Sequence, residues 1–336
     1  MVWLKFLLCL IIILFAGTKL ARYGDAIAEK TGLGRIWIGL VLLAIVTSMP
    51  ELATGVSAAA LVKLPDLALG TLFGSCLFNL VILALLDVLY RRTPILSKVS
   101  LSHMASAGMG ILLIAVAAGS ILAGGRFPGL ALGWVGISGI VIIILCLVGA
   151  RQMFRFERKQ QSALPQAASF QYKEIPTRVA YLRFASAAIA VIGAGIWLSF
   201  VGKEIAQTTG WDASFVGSLF LAITTSMPEL VVTVAAVRLG AIDMAVADIL
   251  GANMLDIVGI LWADLFYTQG PILAAVSRVH LITAVVVMVM SLLVIVGLRF
   301  RQKRKTFVVI SWYGPLLIGL YIFGAYALFT SAIGLG

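Results

Sequence analysis

Apolar residues along this chain come in long runs, not in the alternation of a half-buried strand or the stripe of a surface helix. Windows of about 20 apolar residues, the length that crosses a bilayer as a helix, give ten predicted spans. They cover approximately 2–20, 36–62, 66–90, 99–122, 129–150, 180–201, 213–237, 241–266, 277–298 and 307–332. One long polar linker, Arg151 to Arg178, separates five spans from five. The predicted fold is all-α and integral to the membrane. Met1–Gly17 lacks a convincing signal-peptidase site and has Lys5 as its only early charge, so it is expected to stay as the first helix.

The two groups of spans repeat. Thr47-Ser48-Met49-Pro50-Glu51-Leu52 recurs letter for letter as Thr225-Ser226-Met227-Pro228-Glu229-Leu230. At the same offset of 178, Gly17, Gly24, Thr31, Gly39 and Leu43 match Gly195, Gly202, Thr209, Gly217 and Leu221. The offset then becomes 177. There Asp66, Gly74, Asp87, Tyr90, Pro94 and His103 match Asp243, Gly251, Asp264, Tyr267, Pro271 and His280. Shared apolar composition does not produce such register; shared descent does. With an odd number of spans in each half, the copies must lie in opposite orientations. The expected organisation is a five-helix repeat over 1–150, a basic linker over 151–178 and an inverted five-helix repeat over 179–336.

Composition narrows the function. The 336 residues are 62% hydrophobic and 12% charged, which excludes a soluble enzyme. A net charge of +11 could suggest nucleic acid, but the positions of the basic residues argue for topology. With the linker in the cytoplasm, 20 of the 25 Lys and Arg residues fall on that side. Both termini are then predicted outside, in a cell (inner) membrane. Cys9, Cys76 and Cys146 all lie in apolar segments and imply no disulfide framework.

The chemistry is expected where polar residues interrupt apolar spans, since an ionisable residue at membrane depth points to function. Each Thr-Ser-Met-Pro-Glu copy brings two hydroxyls, a carboxylate and a proline that removes a backbone hydrogen bond. Carbonyls near Ala44, Ile45 and Val46, and near Ala222, Ile223 and Thr224, are expected to be partly free and to line a cavity. A second element, Gly74-Ser75-Cys76-Leu77-Phe78-Asn79, matches Gly251-Ala252-Asn253-Met254-Leu255-Asp256. Ser75 and Asn79 share a helix face, and Asn79 and Asp256 are repeat equivalents. The set holds three acids, an amide and hydroxyls, with no nearby basic residue in sequence. That donor chemistry suits hard cations such as Ca2+.

These two elements, each occurring twice and in order, resemble the cation/calcium exchanger superfamily of sodium/calcium exchangers. The resemblance covers both halves. It implies ten helices, one Ca2+ flanked by Na+ sites, and alternating access. It places Ca2+ on Glu51, Glu229, Asn79 and Asp256, and Na+ on Thr47, Ser48, Thr225, Ser226 and Ser75. The ions are cargo; no resident cofactor is implied. The family pattern is broken in places. Val46 and Thr224 stand where glycine is usual, Cys76 where asparagine is, and Ala252 where a serine would face Ser75. The missing hydroxyl at Ala252 motivates an alternative with H+ as the counter-ion.

The remaining polar residues are read more plainly. Asp248, which matches Thr71, is expected at a solvated helix start. Asp66 and Asp243 suit helix N-termini. Asp87 and Asp264 are expected near the interface, and His103 and His280 in helix-end packing. An intramembrane aspartyl protease would need an aspartate pair, and Asn79 stands opposite Asp256. A channel fits broken inverted repeats less well than alternating access does.

Overall fold

The computed structural model describes residues 1–31, 44–124, 131–161, 175–307 and 309–332. The major helices are α1 (Val2–Thr31), α2 (Met49–Ala60), α3 (Pro65–Leu89), α4 (His103–Ala123) and α5 (Ile137–Gln161). They continue with α6 (Thr177–Thr209), α7 (Ala213–Thr225), α8 (Met227–Arg238), α9 (Ile242–Phe266), α10 (His280–Phe300) and α11 (Tyr313–Ala332). Among the described residues seven helices are long and apolar enough to cross a membrane, or eight if α7 and α8 form one bent span.

Two helices make the centre. In α3 and α9, 83% and 78% of the most apolar window is buried, against 50% or less in the other spans. This explains their sequences: apolar on every side, they have no lipid-facing stripe. The outer helices carry their apolar residues outward, as with Leu4, Ile11 and Phe15 on α1, Ile189 and Phe200 on α6, and Ile322 and Phe323 on α11. α1 and α6 pack along each other, and Lys5 bridges to Glu204 at 2.7 Å.

The expected seventh span is bent, the fifth begins as a hairpin, and its helix runs on into the expected linker. α7 and α8 meet at a 42° bend at Ser226, as proline two residues later would cause. The second expected span is described only from residue 44, residues 36–43 lying outside the described residues. In the fifth, an antiparallel hairpin pairs Ala131 with Gly136 and Leu132 with Val135, and the helix starts only at Ile137. Gly133, at φ +67°, makes the turn. A short apolar run does not by itself separate strand from helix. α5 also continues through Arg151 to Gln161, into the expected linker, of which 162–174 lie outside the described residues.

Close contact of α3 with α7 depends on glycines, Gly70 and Gly74 on α3 and Gly217 on α7. A Cβ on Gly70 would sit 2.7 Å from the Ser214 carbonyl oxygen, and one on Gly74 2.8 Å from the Ala222 Cβ. Here α7 widens into a π-turn over Gly217–Leu221, a feature frequent at functional sites.

Polar residues shared by the two copies of the repeat tie one half to the other. Asp66 accepts the Ser277 N–H at 2.7 Å and lies 3.1 Å from His280 Nε2. Its equivalent Asp243 accepts the Ser100 N–H at 2.7 Å and lies 3.0 Å from His103 Nε2. Helix-end packing was expected of these histidines; their acidic partners were not. Asp87 and Asp264, expected near the interface, occupy late turns of α3 and α9 but are buried. They accept the N–H groups of Ile95 (2.8 Å) and Ile272 (2.6 Å), which begin matching short turns. Asp87 also accepts from Ser311 N–H at 2.7 Å and Tyr313 Oη at 2.6 Å. Buried backbone donors at a chain reversal need an acceptor, and a helix-end carboxylate supplies it.

Candidate cation site

Both Thr-Ser-Met-Pro-Glu copies fold alike. Ser48 (φ −79°, ψ 5°) and Ser226 (φ −85°, ψ 10°) leave the helical region, and α2 and α8 start at the next residue. Proline then falls in the first turn, where its missing N–H costs little. Glu51 and Glu229 follow it, in the electropositive first turn of their helices. The two serines occupy the capping position without capping. Their hydroxyls are thus free of the usual local task.

The carbonyls of Ala44 and Ala222 are engaged, contrary to expectation. Ala44 accepts Ser48 N–H at 3.0 Å and Thr47 Oγ1 at 3.3 Å; Ala222 accepts Ser226 N–H at 3.0 Å and Thr225 Oγ1 at 3.2 Å. Proline deprives only the carbonyl four residues before it, at Val46 and Thr224, so Ala44 and Ala222 lie too early to be released.

The expected residues meet across the two halves. Ser226 donates to Glu51 Oε1 at 2.9 Å, and Ser75 Oγ lies 3.4 Å from Thr225 Oγ1. Asn79 Nδ2 donates to Asp256 Oδ2 at 3.4 Å. Glu229 interacts electrostatically with Glu51 and Asp256. All nine expected residues are buried. Several of their oxygens have no hydrogen-bond partner: Ser48 Oγ, Glu51 Oε2, Asn79 Oδ1, Asp256 Oδ1 and both oxygens of Glu229. Native interiors satisfy nearly all such groups, and exceptions call for an explanation such as an ion. No Lys or Arg ion pair reaches these acids among the described residues.

The arrangement is looser than a closed chelate and is not symmetric. Among the described residues no three Asp, Glu, Cys or His side chains converge at metal-binding distance. Amide, hydroxyl and carbonyl oxygens would therefore have to complete a Ca2+ shell of six to eight oxygens. Ser226 holds Glu51, whereas the equivalent Ser48 and Glu229 have no such bond. Ser75 meets Thr225, whereas Ala252 offers no hydroxyl to the other half.

Two buried residues go beyond the sequence expectation. Asn253 Nδ2 donates to the Cys76 carbonyl at 3.3 Å, Cys76 Sγ lies 3.6 Å from the Asn253 carbonyl, and Asn253 Oδ1 has no partner. Its repeat equivalence to Cys76 was the available signal. Asp248 is buried rather than solvated, with neither carboxylate oxygen bonded. The long α9 extends past it toward Ile242, so it is not at a helix start.

Comparison with known proteins agrees with this architecture. The family described as "Sodium/calcium exchanger protein" matches residues 1–151 and 179–331. Inner membrane protein YrbG of Escherichia coli (strain K12) is 29% identical over 271 residues, 78% of this chain and 79% of that protein. Sodium/calcium exchanger MaX1 of Methanosarcina acetivorans is 33% identical over 141 residues, 41% of this chain and 37% of that one. A structure of the sodium-calcium exchanger NCX_Mj, soaked with 2.5 mM Na+ and 1 mM Sr2+, shares the fold at TM-score 0.62. It is 23% identical and the match covers 96% of each chain. This multi-pass membrane protein therefore belongs to the sodium/calcium exchanger protein family.

Proposed function

We propose that this protein is a secondary antiporter that exchanges Ca2+ for Na+ by alternating access. The observation that carries this reading is the set of buried, unpartnered carboxylate oxygens on Glu51, Glu229 and Asp256, with no basic side chain among the described residues paired to them. Uncompensated buried carboxylates are strongly unfavourable, so cations are their natural partners. Glu51, Glu229, Asn79 and Asp256 hold Ca2+. Thr47, Ser48, Thr225, Ser226 and Ser75 contribute to Na+ sites beside it. A centre that is stable only when filled discourages empty crossing and favours exchange.

The repeat supports ten spans in two inverted halves, with the 151–178 linker cytoplasmic and both termini outside an inner membrane. Tags in the linker and after Gly336 should be accessible from opposite sides. The absent hydroxyl at Ala252 favours the second reading, in which H+ replaces Na+. Equilibrium 45Ca2+ binding to the purified protein separates them. Na+ at constant pH should displace Ca2+ along a curve steeper than one-for-one. Displacement by acid alone, with Na+ inert, would transfer the reading to H+.

A further inference from the structure

The end of α10 carries charge that the exchanger reading does not use. Arg299, Lys303 and Arg304 are exposed where α10 stops, and Arg91, Arg92 and Lys98 are exposed in the loop between α3 and α4. Among the described residues none of the six forms an ion pair.

Hydrogen bonds join the two loops into one platform. Asp87, near the end of α3, accepts Ile95 N–H from one loop and Ser311 N–H from the other, at 2.8 and 2.7 Å. Arg301 Nη2 donates to the Val99 carbonyl at 3.0 Å, and Leu96 N–H to Tyr313 Oη at 3.4 Å. Lys305 donates to the Asp87 carbonyl, and its Nζ lies 3.7 Å from the Asp87 carboxylate. The buried acid under the platform is thus already paired. Asp243, exposed beside Ser100, is engaged by the Ser100 N–H and His103. The six exposed cations are left over.

Apolar side chains stand among these charges. Phe300, Phe307 and Val309 are all exposed. Orientation in a membrane requires only that Lys and Arg gather on one side. It does not require that they be clamped into one surface with aromatic rings between them. After α4 in the other half, residues 124–136 hold Arg126 as their single basic residue, against Arg301, Lys303, Arg304 and Lys305 in 301–312. Cations interleaved with exposed aromatic residues at the end of a spanning helix suit the boundary between headgroups and acyl chains.

We propose that this platform binds the headgroups of anionic phospholipids, on the face that the Lys and Arg distribution assigns to the cytoplasm. Lys303, Arg304, Arg91 and Arg92 pair with the headgroup phosphates, and Phe300 and Phe307 enter the acyl boundary. Only the side of the membrane rests on the topology reading, and nothing here rests on which ions are exchanged.

The test is thermal unfolding of the purified full chain in neutral detergent micelles across a titration of phosphatidylglycerol, with phosphatidylcholine and inorganic phosphate as controls. Wild type should gain stability from phosphatidylglycerol and from neither control. An anionic surface attracts each nearby Lys or Arg by a factor of about five in affinity. The double variant Lys303→Gln/Arg304→Gln should therefore need about thirtyfold more of that lipid for half-maximal effect. Arg178→Gln/Arg238→Gln removes the same charge from exposed positions elsewhere and should respond as wild type does. KCl should weaken the wild-type response, because salt screens exposed charges. Equal stabilisation by phosphatidylcholine would overturn the proposal, and so would stabilisation by phosphate alone. So would a wild-type response from Lys303→Gln/Arg304→Gln, or an equal loss in Arg178→Gln/Arg238→Gln. A wild-type response indifferent to KCl overturns it whether or not the variants fold.

Discussion

The unequal surroundings of Glu51 and Glu229 predict unequal effects of neutralising them. Glu51→Gln replaces the charged acceptor of the 2.9 Å bond from Ser226 by a neutral one. Bonds to charged groups contribute about 1.5–3 kcal/mol and neutral ones about 0.5–1.5, so this change forfeits about 1 kcal/mol. Glu229→Gln forfeits no bond, since both its oxygens are unpartnered. Both changes relieve the repulsion between Glu51 and Glu229 and one repulsion with Asp256, so the difference between them lies in the bond from Ser226. Both variants should lose Ca2+ transport. In cation-free buffer Glu229→Gln should be the more stable by about 1 kcal/mol, or about 2 °C in Tm. Differential scanning fluorimetry in chelator, then with added Ca2+, reads both effects. A Glu51→Gln protein as stable as Glu229→Gln would refute the asymmetry, and Ca2+ stabilisation of either variant would refute the ligand assignment.

Other substitutions test other parts of the structure. Ala252→Ser should lower the Na+ concentration needed for half-maximal Ca2+ flux, and Ser75→Ala should raise it, each by roughly tenfold for one oxygen ligand. Asp87→Ala orphans the buried N–H groups of Ile95 and Ser311 and should cost about 2–6 kcal/mol, visible as lost expression or a lower Tm. Gly74→Val should push α3 away from α7, because even a Cβ would sit 2.8 Å from Ala222; folded protein with normal flux would show that this close approach is dispensable.

Much of this was legible in the sequence because a membrane penalises polar residues and makes each one informative. The doubled Thr-Ser-Met-Pro-Glu element located both helix breaks, and the register of the copies identified residues that do meet, as Asn79 does Asp256. What remained hidden needed three dimensions. Asp66 and Asp243 look like ordinary helix starts until His280 and His103 are seen beside them from the opposite half. Asp248 lies three residues outside the nearest motif, and hydropathy does not reveal whether a carboxylate faces water or a neighbour. The hairpin at Ala131–Gly136 is as apolar as a helix, and only the left-handed turn at Gly133 separates them. The unequal treatment of two identical glutamates is invisible in two identical motifs.

Flux into proteoliposomes, with Na+ and pH gradients imposed separately, tests the central claim most directly. An outward Na+ gradient at equal pH should drive 45Ca2+ accumulation in wild type and none in Glu51→Gln or Glu229→Gln. Accumulation under a pH gradient alone, with Na+ without effect, would contradict Na+ coupling; accumulation unchanged in both glutamine variants would contradict the site itself.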